Sequence, residues 1–413
     1  MKSSKKVIVM FIDAFSSNYL KSELCPALYA LSEKYQCYDI DPMFAFQGIG
    51  ATIYTGTWPN TTKIWAEYVR GDDEYLCERP FLQKILTFAD SIPNDRINWD
   101  VRYVILKLFG KEYIGTPNAI PAKHLRHFKT CLQKAYTREN CISATLKTLF
   151  DVARENEISY NFVHPPTQLE YRAIDTIIKS IYDRTMPDLT ILHLGSLDMI
   201  GHNYGPNTEE MREGIKKIDD AVGNITQAIK ESANGIQLII FSDHGMSPVR
   251  EYLNILEIVN DLSVSTGDDY FMFLDSTMAR FWFHNSDAKK EIINALSKYR
   301  QGHILEAGEC AKYHIDNLNG EHGEIVYAVD DGVAIYPDYF RRHDPPKGMH
   351  GYASPGDNPI MILCSEGAVP RSHISLDPTK PLEMIDIMPI ILDLLNCPIP
   401  ESCESKLLEH PYE

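Results

Sequence analysis

VIVMFIDAF, residues 7–15, sets six apolar side chains in a row and then an aspartate. A continuous apolar run rich in β-branched residues reads as a strand buried on both faces of a parallel sheet. The same shape recurs twice. LTILHL at 189–194 is closed by GSLD at 195–198, and IQLIIF at 236–241 is closed by Ser242, Asp243 and His244. Amphipathic helical patterns lie between these runs, at 26–35, 168–183 and 208–232. Strands alternating with helices make βαβ units, so the expected fold class is α/β: a doubly wound, mainly parallel sheet sandwiched by helices. Ligands of such sheets bind beyond the carboxyl ends of the strands, where Asp13, Asp198, Asp243 and His244 all fall.

Two stretches break the alternation. Residues 65–166 hold aromatic and basic segments without a strand and helix rhythm, and are expected to form a mainly helical cap. Residues 251–347 carry strand-like FMFLDS and ARFWFH and a helical pattern at 286–299, the make-up of a small α+β insertion. The expected metal-binding core is then 1–64, 167–250 and 348–413, with a further strand at 359–364 and a closing helix at 382–395.

The whole chain has 413 residues, 40 Lys+Arg against 57 Asp+Glu and a formal net charge of −17. That sign excludes a protein that grips duplex nucleic acid by bulk electrostatics. Nine cysteines without CxxC pairs argue against a complete disulfide framework and point to a reducing compartment. MKSSKK followed by a short apolar run lacks the length of a signal or membrane segment, so the expectation is a cytoplasmic protein with no membrane partner.

SLDMIGH, residues 196–202, separates Asp198 from His202 by four, the spacing that brings both onto one side of a helical turn. FSDHGM at 241–246 adds Asp243 and His244, Asp13 adds a third strand-end carboxylate, and GMHGY at 348–352 adds His350 between glycines. Each position alone has an ordinary reading as a helix cap or loop histidine. Together, three carboxylates and three imidazoles make a mixed oxygen and nitrogen set that suits Zn²⁺ or Mn²⁺ and is large enough for two ions.

FIDAF, TGTWPN, SLDMIGH, FSDHGM and GMHGY, in this order, resemble the alkaline phosphatase superfamily, most of all its type I phosphodiesterase/nucleotide pyrophosphatase branch. The resemblance covers about 1–64, 186–250 and 348–396. It implies that Asp198, His202 and His350 hold one zinc and Asp13, Asp243 and His244 the other. The implied activity is hydrolysis of phosphate esters, with a small anionic, nucleotide-like substrate.

The chain departs from that pattern at the nucleophile. The family's Thr or Ser stands about nine residues before the TG that is here Thr55-Gly56, which gives Phe46, or Gln47 with a one-residue slip. Neither side chain attacks phosphorus. The expected attacking group is therefore hydroxide generated on the metal, with Ser16 or Ser17 as an alternative nucleophile. A group transferase using the same ions and a metal-binding pseudoenzyme are the other readings. Arg280 is a candidate phosphate contact, though it also has Asp275 as a neighbour to pair with. His193, inside an apolar run, is assigned to the core, and Lys123, His124, Arg126 and His127 make the cap locally basic.

Overall fold

The computed structural model describes residues 6–408 apart from 46, 72–79, 93–94, 110–119, 126, 133, 233–234, 317–319, 342–343, 355–357, 365–373 and 375. Its main sheet runs Leu382–Glu383, Gln36–Asp41, Ile360–Cys364, Gln237–Phe241, Val7–Ile12, Leu189–Leu194, Tyr160–Val163. Val7–Ile12 is parallel to both neighbours, with Val7 opposite Gln237 on one side and Leu189 on the other. Ile360–Cys364 is antiparallel to both of its neighbours. The α/β, mainly parallel architecture read from the apolar runs is thus the one the chain adopts.

Alternation along the central strand feeds two layers. Ile8, Met10 and Ile12 pack with Leu28, Ile177, Ile215 and Val222 from the helices Pro26–Lys34, Glu170–Tyr182 and Glu209–Ser232. Val7, Val9 and Phe11 pack with Ile53, Tyr54, Phe150 and Ile391 on the opposite side. Every residue of this strand is at most 3% exposed. Burying one such side chain contributes roughly 1.5–3 kcal/mol, so the strand is a firm anchor for whatever follows it. Asp219 ties two helices of one layer together by accepting from the backbone N–H groups of Ala27 and Leu28 at 3.0 and 2.8 Å.

The segment 65–166 differs from a mainly helical cap in two respects. It does contain the helices Pro80–Asp90 and Asp95–Phe109, but a ribbon of Tyr68–Arg70 with Phe128–Thr130 accompanies them. Its end, Tyr160–Val163, is an edge strand of the main sheet, parallel to Leu189–Leu194. That strand carries the alternation YNFV rather than an apolar run, which is why it does not stand out in the sequence. The 251–347 insertion builds a four-stranded antiparallel sheet from Tyr270–Leu274, Met278–Phe283, Ile325–Val329 and Gly302–Ile304, with the helix Ser286–Leu296. Cap and insertion share one apolar core, in which Leu86, Leu125 and Phe128 meet Phe271, Phe273 and Trp282.

Candidate active site

Asp13 continues the face of Val7, Val9 and Phe11 one step past the strand, and its N–H still donates to the Leu194 carbonyl at 3.0 Å. Ala14 then takes φ 60, turning the chain away and leaving the carboxylate at the sheet's rim. Asp243 stands in the same relation to Phe241. Ser242 fixes that turn by donating to the Phe15 carbonyl at 2.6 Å and accepting from Ile360 N–H at 3.0 Å. Asp198 and His202 lie on the helix Ser196–Tyr204, whose first turn is held by Glu170 Oε1 accepting from Ser196 N–H at 2.9 Å. His350 reaches in from the segment that follows the short strand Gly348–Met349.

These six side chains converge on one cavity of about 530 Å³. Asp198 Oδ1 lies 3.2 Å from Nε2 of both His202 and His350, and the two Nε2 atoms are 3.2 Å apart. His244 Nε2 lies 3.3 Å from Asp13 Oδ1 and 3.4 Å from Asp243 Oδ2. Asp198 also falls within 4.8 Å of the Asp13 and His244 ligand atoms, so it stands between the two sets.

Hydrogen-bond accounting tests whether cations fit. His202 Nδ1 is 2.9 Å from the Gly348 carbonyl and His244 Nδ1 is 2.9 Å from the Gly245 carbonyl. A carbonyl only accepts, so in the neutral rings both Nδ1 atoms carry the hydrogen and both Nε2 atoms present lone pairs. Those lone pairs face carboxylate oxygens, acceptor against acceptor, an arrangement that cations between its members relieve. Asp13 Oδ1 and Asp198 Oδ1, both buried, have no hydrogen-bond partner among the described residues. The residues present therefore fit a pair of divalent ions.

Without cations the carboxylates raise one another, and Asp198 is held down only by charge and N–H donation from imidazoles, a part that bound cations would take over. Burial, then the charges of Asp243 and Asp198, hold Asp13 well above the usual carboxylate value. Burial and Asp198 push Asp243 up to about 7. Burial also acts to raise Asp198, but the imidazoles of His202 and His350 outweigh it and hold that group well below its usual value. Burial, followed by the neighbouring His244, holds His350 down to about 3.

Of the other sequence candidates, Gln47, Ser16 and Arg280 are not among the residues that line this cavity. Phe46 lies outside the described residues. Gln47 Oε1 accepts from Glu67 N–H at 2.8 Å, which commits it to the backbone of the segment that leads into the cap. Ser16 caps a short 3₁₀ turn, Ser17–Tyr19, by accepting from Asn18 N–H at 3.0 Å. Arg280 is fully buried, donates to Asp275 at 2.9 Å and to the Tyr68 carbonyl at 2.7 Å, and lies over the Phe273 ring. Its role is structural rather than a phosphate contact. In the cap, Arg126 is outside the described residues, and the rings of His124 and His127 pack against Phe271.

The cavity walls hold residues that sequence reasoning missed. Tyr54, Tyr136, Thr137, Phe162 and His164 line it, and so does His193, which was assigned to the core. Tyr136 lies against Gly50, where an added Cβ would sit 2.7 Å from its ring, and its hydroxyl bonds the N–H of Ala51. His193 Nε2 is 3.1 Å from Asp13 Oδ2. The signal was a lone imidazole one step below a strand's carboxyl end.

A mainly parallel sheet gathering aspartates and histidines at its strand ends into adjacent cation sets is the alkaline phosphatase-like arrangement, a scaffold for two-metal phosphate-ester chemistry. Within it, the chain belongs to the type I phosphodiesterase / nucleotide pyrophosphatase family, whose model matches residues 7–381. Ectonucleotide pyrophosphatase/phosphodiesterase family member 7 of Mus musculus is 30% identical over 253 residues, covering 60% of this chain and 56% of its own. Bis(5'-adenosyl)-triphosphatase ENPP4 of Homo sapiens is 31% identical over 254 residues, covering 60% and 53%. The chain thus spans little more than half the length of these curated relatives. Among solved structures, murine ectonucleotide pyrophosphatase/phosphodiesterase 5 superposes with a TM-score of 0.65 at 16% identity, covering 96% of each chain. An inactive form of that murine protein, in complex with AMP, superposes equally well.

Proposed function

We propose that the chain is a two-metal phosphodiester hydrolase acting on small nucleotide-like esters, with water rather than a protein hydroxyl as nucleophile. The observation that supports it most is the convergence of Asp13, Asp198, His202, Asp243, His244 and His350 on one cavity, with the Nε2 lone pairs of His202 and His244 turned toward carboxylate oxygens. A pair of divalent ions, Zn²⁺ in this reading and Mn²⁺ as the substitute, supplies neutralisation of phosphoryl charge and lowers the pKa of water to about 7. The protein's part is to fix those ligands on buried strand ends and to enclose the ester. Tyr54, Tyr136 and Phe162 offer ring faces for an aromatic leaving group or base. Water is preferred as nucleophile because Gln47 and Ser16 are committed to backbone partners elsewhere. The relatives' names and the AMP complex of the murine neighbour support the nucleotide-like substrate.

Metal analysis combined with turnover of bis-p-nitrophenyl phosphate and a dinucleoside polyphosphate tests this reading. About two ions per chain and cleavage, both lost in Asp243→Ala, are expected. Full metal occupancy without hydrolysis of any ester supports the transferase or pseudoenzyme instead. Quenched turnover followed by mass spectrometry tests the nucleophile, and a phosphorylated Thr137, Ser16 or tyrosine overturns water attack.

A further inference from the structure

We propose that His193 is a positioning residue for Asp13, acting through the carboxylate oxygen that faces away from the cation site. The proposal rests on the two-metal reading above. Asp13 divides its oxygens: Oδ1 faces His244 Nε2 at 3.3 Å, and Oδ2 lies 3.1 Å from His193 Nε2. A carboxylate oxygen only accepts, so His193 donates from Nε2. The carboxylate torsion of an aspartate is intrinsically broad. A donor on one oxygen therefore selects the rotamer that presents the other to a metal, and partners of this kind govern ligand orientation at metal sites.

The donor is itself held. Phe11 stacks on one face of His193 at 3.9 Å and 7°, and His164 stacks on the other at 4.1 Å and 16°. The column continues from Phe11 to Phe241 at 4.6 Å. Phe11 and Phe241 each precede a ligand of the same set, Asp13 and Asp243, by two residues on the same strand face. The rings thus form a floor beneath both carboxylates, and clamped between two rings, the imidazole keeps its N–H aimed at Oδ2. A histidine that merely filled the core would not take a ligand oxygen as its partner.

Zn²⁺ affinity by competition with a chromogenic chelator, and the visible spectrum of the Co²⁺-loaded chain, test the role without reliance on turnover. His193→Phe keeps a stacking ring and removes the donor, His193→Met removes both, and His193→Gln retains an N–H. The expected result is two bound ions in the parent and, in the Phe and Met variants, a loss of about 10–100-fold at one site only, with a changed Co²⁺ spectrum. The Gln variant should recover a large part of that loss. Having two donorless variants guards against one failing to fold. Parent-like affinity at both sites in a folded donorless variant overturns the proposal, as does a loss in the Gln variant equal to theirs. A parent that binds no divalent ion overturns the two-metal reading together with it.

Discussion

His202 and His350 point their Nε2 atoms at each other across 3.2 Å, although 148 residues separate them in the chain. With the Nδ1 hydrogen of His202 committed to the Gly348 carbonyl, its Nε2 offers a lone pair that takes either an N–H from His350 or a shared cation. Stripping metal with a chelator should lower the melting temperature, and adding Zn²⁺ at a thousand times its Kd should restore about 4 kcal/mol. Calorimetry with and without metal checks this; His350→Ala should bind one ion fewer and recover less.

In the metal-free chain the Asp13 and Asp243 pair should contribute less stability as pH rises. Asp243 is held up to about 7 in the fold against an ordinary 3.8, and Asp13 is raised as well. Between those values these two carboxylates bind more protons in the folded chain than in the unfolded one, so their contribution is present at low pH and is lost through about pH 4–7, while His350, held down to about 3, contributes in the opposite sense. Melting of chelator-treated parent and Asp243→Asn across that window should show the parent losing stability relative to the variant as pH rises. Stabilisation by added Zn²⁺ should be greater at pH 8 than at pH 5, where protons compete for the ligands.

Arg280→Met should unfold the junction rather than weaken substrate binding. It leaves Asp275 buried without its ion-pair partner, a change that costs about 3–5 kcal/mol. Denaturant titration should register the loss, while KM per folded molecule stays at the parent value.

Glu170→Ala removes the acceptor at the first turn of the ligand-bearing helix. The expected stability loss is about 1 kcal/mol. Metal competition should show weaker binding at the Asp198, His202 and His350 set, with the other set retained.

Gly50→Ala should displace the Tyr136 ring, because its Cβ would come within 2.7 Å of that side chain. Steady-state kinetics on aryl and nucleotide esters should then show a raised KM at unchanged metal content.

The candidate metal-binding residues were legible because most are attached to an element with a strong signal of its own. Asp13 and Asp243 terminate continuous apolar runs, and Asp198 and His202 have helical spacing. His193 was not legible as part of the site, since a polar residue inside LTILHL looks like any satisfied core histidine until Asp13 is placed beside it. Gln47 and Arg280 owe their roles to Glu67, Asp275 and Tyr68, partners brought together only by packing of the core against the insertion. The edge strand Tyr160–Val163 was hidden by its half-buried, alternating composition. Among the described residues no helix is long and apolar enough to cross a membrane, and the cysteines described are free thiols.

The antiparallel strand Ile360–Cys364 occupies the interior of the main sheet, between Gln36–Asp41 and Gln237–Phe241. During synthesis the ribosome delivers it long after both neighbours, so Gln36–Asp41, whose described strand partners are Ile360–Cys364 and Leu382–Glu383, waits unpaired while Gln237–Phe241 stands as the edge of the sheet. His350 arrives just ahead of that strand. The cluster of aspartates and histidines and the sheet that carries it are therefore completed in nearly the same moment of translation, and a chain truncated before Ile360 would present the open edge of Gln237–Phe241 to its neighbours on the polysome.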